Sequence, residues 1–352
     1  MKGYGGFYYV TAAAGGDAEG RDADKHSVGD RAGGVAGGSD GVRGIEGDAS
    51  ADSDYDSAGA VTEAGAEGRD ASDSPSELWE CRPRGRLRRE KQDILAGDRV
   101  AFAIVNSERR EGVIEAILPR RNRLIRPPVA NVDQALVVLA AGDPPPDLWL
   151  LDKLLIMIRT AGIAPLLCWN KEDLAERGDL AELTAPYQAA GLAQVITCAL
   201  SGQGISELRE RLAGQATVLA GPSGVGKSSL LNQIRPGLAL KTGDVSEKLG
   251  RGRHTTRHVE WIPLAGGGWV ADTPGFSRID LPAAVKREDL AAFYPEFAAW
   301  AEDCPFASCS HDKERDCGVR QAAAAGKLDE GRYRRYVSFL REIEGEYGHG
   351  HD

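Results

Sequence analysis

The chain has 352 residues, of which 42% are hydrophobic and 6% aromatic, so it is long enough for two or three domains with buried cores. No apolar run reaches the roughly 20 residues that a membrane-spanning helix needs, and the N-terminus lacks the pattern of a secretory signal peptide. We therefore expect a cytoplasmic protein with no membrane contact.

The net charge of −10 at first argues against a nucleic-acid partner, but residues 13–76 alone hold 15 acidic and 5 basic side chains. The remaining chain has 38 of each and can carry basic faces.

Strand-like segments lie on both sides of the acidic stretch. Residues 6–10 precede it, and segments at 78–82, 98–104 and 112–117 follow it. Short strands separated by glycine and aspartate are typical of a small β-barrel. We therefore predict an N-terminal barrel domain over residues 1–128.

The acidic stretch itself, residues 13–76, is rich in Gly, Ala, Asp and Ser and has almost no large apolar side chains. Such a composition cannot bury enough surface to offset the entropy lost on ordering. We predict a disordered insert in a loop of the barrel, and a solvated spacer fits this composition better than a specific acidic binding tail.

From residue 129 the pattern alternates between strands and helices. Apolar strand-like segments occur at 135–141, 165–169, 194–198 and 216–220, and residues 148–161 have helical spacing. This alternation predicts a parallel sheet with helices on both faces, the architecture of an α/β domain.

A predicted hairpin at 258–272 completes this domain, which we place at residues 129–284. The chain then becomes mostly helical, with a core-spaced helix at about 330–346, and we assign residues 285–352 to a third domain.

The segment Asn170-Lys171-Glu172-Asp173 follows a predicted strand. A carboxylate here can accept hydrogen bonds from N1–H and the 2-amino group of guanine, which adenine cannot supply. We predict that Asp173 selects guanine, that Lys171 lies along the base and that Asn170 braces the loop. Alone, this N-K-x-D pattern is often only a solvated turn.

Cys198 ends another predicted strand, and Ala199 follows it. The backbone N–H of Ala199 could donate to guanine O6. GTPases usually have serine before this alanine, so Cys198 is a small departure from the pattern.

A phosphate-binding loop follows the strand at 216–220. It matches G-x-x-x-x-G-K-[ST] between a strand and a helix, the context that the motif requires. Its predicted nucleotide-binding residues are Gly221, Pro222, Ser223, Gly224, Val225, Gly226, Lys227, Ser228 and Ser229. Backbone amides and the helix N-terminus would surround the phosphates. Lys227 would reach the β- and γ-phosphates and serve catalysis, and Ser228 would bind Mg²⁺.

Two later segments complete the predicted nucleotide site. Asp272 would hold Mg²⁺ through water, and the N–H of Gly275 would contact the γ-phosphate. Thr255 or Thr256, in a glycine-rich charged segment, would complete the Mg²⁺ shell, and the sequence does not choose between them.

The residue after D-T-P-G is Phe276, near the position where many GTPases have a water-orienting glutamine. Hydrolysis therefore needs another group. His254 is the catalytic candidate, and an RNA-facing or merely exposed histidine is an equally good interpretation.

Near the C-terminus, Cys304, Cys309, His311 and Cys317 lie within 14 residues. Three thiolates and an imidazole suit one tetrahedral, structural Zn²⁺. The alternative is a group of reduced cysteines beside an incidental histidine.

The nucleotide motifs run in an unusual order, because N-K-x-D precedes the phosphate loop. This order resembles the ribosome small subunit-dependent GTPase A (RsgA) family of circularly permuted GTPases, as do GGFYYV, CRPRGRLRR, RRNRLIRPPVANVDQ, KLGRGRHTTRHVE and the Cys/His cluster. The resemblance implies an N-terminal oligonucleotide-binding (OB) fold barrel, a central P-loop GTPase domain and a C-terminal, mostly helical zinc-binding domain.

The resemblance also implies a function. We expect a monomer that binds GTP and GDP, contacts the small ribosomal subunit and its 16S rRNA late in maturation, and hydrolyses GTP when stimulated by the subunit. The arginine-rich segments at 82–89 and 120–126 fit an RNA partner, although such charge runs are often only solvated faces. The alternative is an rRNA-docking module in which GTP is mainly a conformational ligand, whereas the permuted order disfavours a translation or tRNA-modifying GTPase.

Overall fold

A computed structural model describes residues 3–4, 7–11, 62–63, 78–89, 93–125, 127–176, 178–235, 259–272 and 280–345. Within these ranges, no helix is long and apolar enough to cross a membrane.

The N-terminal region forms a six-stranded sheet. Its strands are β1 Gly3–Tyr4, β2 Phe7–Thr11, β3 Thr62–Glu63, β4 Leu78–Pro83, β5 Val100–Asn106 and β6 Glu111–Ile117. They lie in the order β1-β2-β4-β6-β5-β3, and all neighbours are antiparallel except β4 and β6. A short helix, α1 (Gly85–Arg89), follows β4.

The predicted strands agree with β2, β4, β5 and β6 within about two residues. β5 begins at Val100 instead of residue 98, because Asp98 lies in the preceding turn, where its carboxylate accepts from the N–H of Leu95 at 2.7 Å. β3 comes from inside the predicted insert and pairs with Ala101 and Phe102.

A small connecting unit joins this sheet to the rest of the chain. Two short antiparallel strands, β7 (Arg123–Leu124) and β8 (Val129–Ala130), form it. Arg120 holds the buried Asp98 with two hydrogen bonds of 2.7 and 2.9 Å, and Asn131 donates to the carbonyl of Gly97 at 3.0 Å. These bonds attach the turn that contains Gly97 and Asp98 to the segment that leads into the central sheet.

The central sheet has six strands in the order β11-β10-β9-β12-β14-β13. They are β9 Gln134–Ala140, β10 Ala164–Asn170, β11 Ala193–Ile196, β12 Ala216–Ala220, β13 Glu260–Pro263 and β14 Trp269–Asp272. All neighbours are parallel except β13, which forms the predicted hairpin with β14.

Four helices cover the sheet: α2 Leu148–Thr160, α3 Asp179–Ala189, α4 Ile205–Leu212 and α5 Lys227–Ile234. Alternate residues of β9 point to opposite faces, so Val137 lies in the core with α2 and α3, whereas Val138 lies in the core with α4 and α5. The predicted α/β sheet with helices on both faces is confirmed.

The C-terminal region is helical. It contains 3-10 helices at Arg287–Phe293 and Pro295–Phe297, followed by α6 Ala298–Ala301, α7 Gly318–Ala324 and α8 Glu330–Glu344. The last helix starts at an Asp329 cap and ends two residues earlier than predicted, because Gly345 adopts a left-handed conformation with φ of 74°. Its core includes Ile156 of α2, so this region packs directly on the central sheet unit.

Candidate functional site

The phosphate loop connects β12 to α5 and needs its glycines. Gly221, Gly224 and Gly226 have φ values of 129°, 82° and 94°, which side-chain-bearing residues rarely adopt. A Cβ at Gly221 would lie 2.1 Å from the carbonyl oxygen of Val138. Only glycine therefore fits, and the loop passes closely over the ends of the neighbouring strands.

Lys227 is the first residue of α5 and lies along the phosphate loop. Its Nζ donates to the carbonyls of Gly221 at 3.0 Å and Pro222 at 2.6 Å. Ser228 and Ser229 follow in the first helical turn. The ammonium group thus lies beside the loop backbone that was predicted from the sequence to bind the phosphates.

Asn170 joins three segments of the predicted site. It ends β10 and is 1% exposed. Its Nδ2 donates to the carbonyl of Val225 in the phosphate loop at 2.8 Å, while its Oδ1 accepts from Thr197 Oγ1 at 3.1 Å and from Ala199 N–H at 3.2 Å. The prediction that Asn170 braces the loop is consistent with this geometry, and the bracing reaches the phosphate loop as well.

The predicted guanine-selecting carboxylate is held by a thiol. Cys198 is 2% exposed, and its Sγ donates to Asp173 Oδ1 at 3.0 Å. The thiol therefore occupies the position from which the usual serine hydroxyl would donate. Cys198 lies beyond the end of β11, which stops at Ile196, and not inside the strand as predicted.

The rest of the N-K-x-D segment turns sharply after β10. Lys171 adopts a left-handed φ of 61°, and its Nζ donates to the carbonyl of Asp143 at 2.7 Å. The N–H of Glu172 donates to the carbonyl of Thr197 at 3.2 Å. These contacts tie the turn to the segments that follow β9 and β11.

Strand order explains why motifs far apart in sequence meet. β10 and β12 both lie beside β9 in parallel, so the carboxyl ends of all three face the same edge of the sheet. The backbone of Asp272 ends β14, which is parallel to β12, and it reaches the same edge. The nucleotide motifs therefore meet at one edge of the sheet, although N-K-x-D precedes the phosphate loop in the sequence.

Four predicted site residues lie outside the described residues: His254, Thr255, Thr256 and Gly275.

The C-terminal Cys/His group has the geometry of a metal centre. The ligand atoms of Cys304, Cys309, His311 and Cys317 all lie within 4.8 Å of one another. Cys304 Sγ is 3.9 Å from Cys317 Sγ, and His311 Nδ1 is 3.6 and 3.4 Å from those two sulfurs. Tetrahedral Zn²⁺ with ordinary bond lengths would separate two sulfurs by about 3.8 Å and a sulfur from a nitrogen by about 3.5 Å. The separations among Cys304, His311 and Cys317 therefore match those around one tetrahedral ion, and Cys309 Sγ lies near enough to be its fourth ligand.

The surroundings favour the neutral forms of two of these ligands, Cys309 and His311. Burial raises the pKa of the Cys309 thiol to about 12, and burial lowers the pKa of His311. A bound divalent cation would favour the thiolates, which are the forms that coordinate metal. The hydroxyls of Tyr333 and Tyr336 in α8 donate to the carbonyls of His311 and Ser310, so the ligand loop is attached to the last helix.

Sequence reasoning missed a buried ionic cluster between α2 and the C-terminal helices. Asp152 is 1% exposed and accepts from Arg332 Nη1 and Arg335 Nε, each at 2.6 Å, and from Tyr187 Oη at 3.2 Å. Burial alone lowers the pKa of Arg332, but the carboxylates of Asp152 and Glu296 outweigh it and keep this pKa above its ordinary value. The only available signal was an aspartate within the apolar run LWLLDKLL.

Comparisons with known proteins agree with this geometry. The family model described as RsgA GTPase matches residues 117–282, and the one described as RsgA N-terminal domain matches residues 72–114. The chain is 51% identical over 271 residues to the "Small ribosomal subunit biogenesis GTPase RsgA" of Moorella thermoacetica, covering 77% of this chain and 92% of that protein. It is 46% identical to the protein of the same name from Alkaliphilus metalliredigens, covering 76% and 91%.

Two solved structures share the fold at 34% identity. One, titled "Crystal structure of YjeQ from Thermotoga maritima", matches with a TM-score of 0.65 over 81% of this chain and 94% of that chain. The other is titled "The crystal structure of YloQ, a circularly permuted GTPase." and matches with a TM-score of 0.64 over 82% and 93%. Because identity, coverage and fold all agree, the chain belongs to the RsgA family of circularly permuted GTPases, and it is a GTP hydrolase.

Proposed function

We propose that this protein assists late maturation of the small ribosomal subunit, and that contact with the subunit and its 16S rRNA stimulates its GTP hydrolysis. The names of the relatives from Moorella thermoacetica and Alkaliphilus metalliredigens support the biogenesis role. The observation that carries the nucleotide part is Asn170, whose side chain bonds the phosphate loop and the turn after β11 together.

The nucleotide would lie along the carboxyl edge of the central sheet. In this proposal Asp173 accepts from guanine N1–H and the 2-amino group, with its carboxylate oriented by the Cys198 thiol. Lys171 would lie along the base. The N–H of Ala199 would donate to guanine O6 while keeping its contact with Asn170 Oδ1, as a shared hydrogen bond.

The phosphates would occupy the loop from Gly221 to Ser229. The ammonium group of Lys227 donates two hydrogen bonds to carbonyls of this loop. A movement of the side chain alone would let it donate to phosphate oxygens instead. Mg²⁺ bound with GTP would take Ser228 directly, Asp272 through water, and Thr255 or Thr256. The N–H of Gly275 would contact the γ-phosphate.

For catalysis we propose His254 as the group that replaces the missing glutamine. Lys227 would stabilise the charge that develops on the transferred phosphoryl group.

The flanking regions would supply docking and rigidity. We propose residues 1–128 as an OB-fold RNA-binding domain with an insert at 13–76, residues 129–284 as the GTPase domain and residues 285–352 as a zinc-binding domain. The sulfur and nitrogen separations in the Cys/His group support one structural Zn²⁺ held by Cys304, Cys309, His311 and Cys317. The proposed working form is a monomer.

GTP turnover with purified ribosomal subunits tests this proposal. We expect small subunits to raise the turnover rate and large subunits to leave it at the basal value. The His254→Ala variant should bind GTP normally but respond weakly to small subunits. A wild-type rate for His254→Ala with small subunits present would remove its catalytic assignment. Equal rates with and without small subunits would remove the subunit-stimulated function.

A further inference from the structure

A surface cavity lies between α3 and the C-terminal helices. Its volume is about 460 Å³, and it shares no residue with the predicted nucleotide site. Cavities of roughly 300 to 1,000 Å³ accept small ligands. Pro186 and Ala189 of α3 form one part of the wall, and the C-terminal region forms the rest, so the cavity lies where these two parts of the fold meet.

One wall residue, Glu296, has a carboxylate oxygen without a donor. Its side chain is 4% exposed. Oε1 accepts a hydrogen bond from Arg332 Nε at 2.8 Å and forms an ion pair with Arg332 Nη2, also at 2.8 Å. Oε2 is buried and receives no hydrogen bond from any side chain or backbone group in the described part of the chain. A buried acceptor left unpaired is unfavourable, so a ligand N–H that reaches it would bind with a gain.

The cavity wall also offers an aromatic face. Trp300 of α6 forms part of it, and Lys327 Nζ lies over the indole ring, 5.6 Å from its centroid. A flat ring could stack on Trp300 in exchange for this cation–π contact, which would leave Lys327 available for an anionic group attached to that ring.

The charges around the cavity cancel. The lining carboxylates are Glu296 and Asp329, and the lining cations are Lys327 and Arg332. A site without net charge favours neither a free cation nor a free anion. It suits an uncharged flat group that carries an N–H donor and has a phosphate close by.

An unpaired nucleobase in an RNA strand has all three properties. Single-stranded bases stack on aromatic side chains and form hydrogen bonds along their exposed edges, and carboxylates accept from exocyclic amino groups. We propose that this cavity binds one unpaired, amino-bearing nucleobase of an RNA strand. The amino group donates to Glu296 Oε2, the base stacks on Trp300, and Lys327 contacts the adjoining phosphate. This inference rests on the proposed function only in taking ribosomal RNA as the source of the strand.

A fluorescent RNA tests this inference. The probe is a pentaribonucleotide with 2-aminopurine at its centre, added to full-length protein saturated with GDP so that the guanine site is filled. Stacking on Trp300 should quench the 2-aminopurine. Because stacking contributes about 1–3 kcal/mol per base, Trp300→Leu should weaken binding by about 5- to 150-fold and remove the quenching, whereas Trp300→Phe should retain most of both.

A blocking variant avoids removal of any existing contact. Ala189→Phe places a ring in the cavity and should weaken binding about as much as Trp300→Leu. Ala185→Phe is the matched control, because Ala185 is exposed on the same helix, one turn earlier, and does not line the cavity. It should bind like wild type. A pentaribonucleotide with unsubstituted purine, which lacks the amino group, should compete more weakly than the probe.

Wild-type binding and quenching by both Ala189→Phe and Trp300→Leu would overturn the proposal. If 2-aminopurine riboside monophosphate binds as tightly as the pentaribonucleotide, the ligand is a free nucleotide and the assignment to an RNA strand is overturned. The assay contains no ribosomal subunit and measures no GTP turnover, so its outcome is independent of the test of the proposed function.

Discussion

Replacing Asn170 by alanine tests how the site is held together. This side chain connects the carbonyl of Val225 in the phosphate loop with Thr197 and the N–H of Ala199 in the turn after β11. The variant removes all three hydrogen bonds at a position that is almost fully buried.

The expected cost follows from the groups that lose their partner. Thr197 Oγ1 keeps a contact of 3.2 Å with Cys168 Sγ. The carbonyl of Val225 and the N–H of Ala199 lose their bonds to this side chain. At roughly 1–3 kcal/mol for each buried group left unpaired, we expect a loss of about 2–6 kcal/mol, shared between the stability of the protein and its affinity for nucleotide.

Two measurements would detect this loss: urea unfolding in the absence of nucleotide, and displacement of a fluorescent GDP analogue. We expect an unfolding midpoint at lower urea concentration and a GDP affinity reduced about tenfold or more, where tenfold corresponds to about 1.4 kcal/mol. Gln203→Ala removes an exposed amide from the neighbouring turn and should change stability by less than about 0.5 kcal/mol. If Asn170→Ala matched this control in both assays, the bracing role would be refuted.

Three further changes have defined outcomes. Asp152→Asn breaks the buried pairing with two arginines and should lower stability by about 3–5 kcal/mol, whereas Glu330→Gln, in an exposed pair, should cost less than about 1 kcal/mol; similar melting temperatures would argue against the cluster. Elemental analysis of purified protein should find one zinc per chain, and little in Cys309→Ser; metal-free wild type would contradict the zinc site. Cys198→Ser keeps a donor for Asp173 and should bind GDP like wild type, while Cys198→Ala should lose about 0.5–1.5 kcal/mol of binding. Equal affinities of these two variants would show that the donor is unimportant.

Local patterns in the sequence predicted most of the fold. The central strands and α2 were recognisable because apolar runs of strand length alternate with helical spacing. The glycines of the phosphate loop were recognisable because the motif demands backbone conformations and close approaches that only glycine permits, as Gly221 and Gly226 show.

Long-range pairings could not be predicted in the same way. The contact of Asn170 with Val225 joins residues 55 positions apart, and that of Asp152 with Arg335 joins residues 183 apart. No local rule identifies such partners, because each depends on how strands are ordered and helices pack. The pairing of Thr62 and Glu63 with β5, inside a stretch with few apolar side chains, was unpredictable for the same reason.

The hydrogen bond of the Cys198 thiol was predictable only in part. The sequence indicated a position at the nucleotide site and marked the cysteine as a departure from the usual serine. Only the structure shows that the thiol donates to Asp173 and so retains the hydrogen bond that a serine would make.

The central claim is that Asp173 recognises guanine while Lys227 holds the phosphates of the same nucleotide. The most direct test is a titration of wild type and Asp173→Asn with GTP, ATP and xanthosine triphosphate. A site built to pair with donors on the base rejects analogues that lack them by roughly 10⁴-fold or more. We therefore expect wild type to prefer GTP strongly over ATP, and Asp173→Asn to lose GTP and gain xanthosine triphosphate, whose C2 carbonyl can accept from the new amide. Equal binding of ATP and GTP by wild type, or unchanged GTP affinity in Asp173→Asn, would contradict the account.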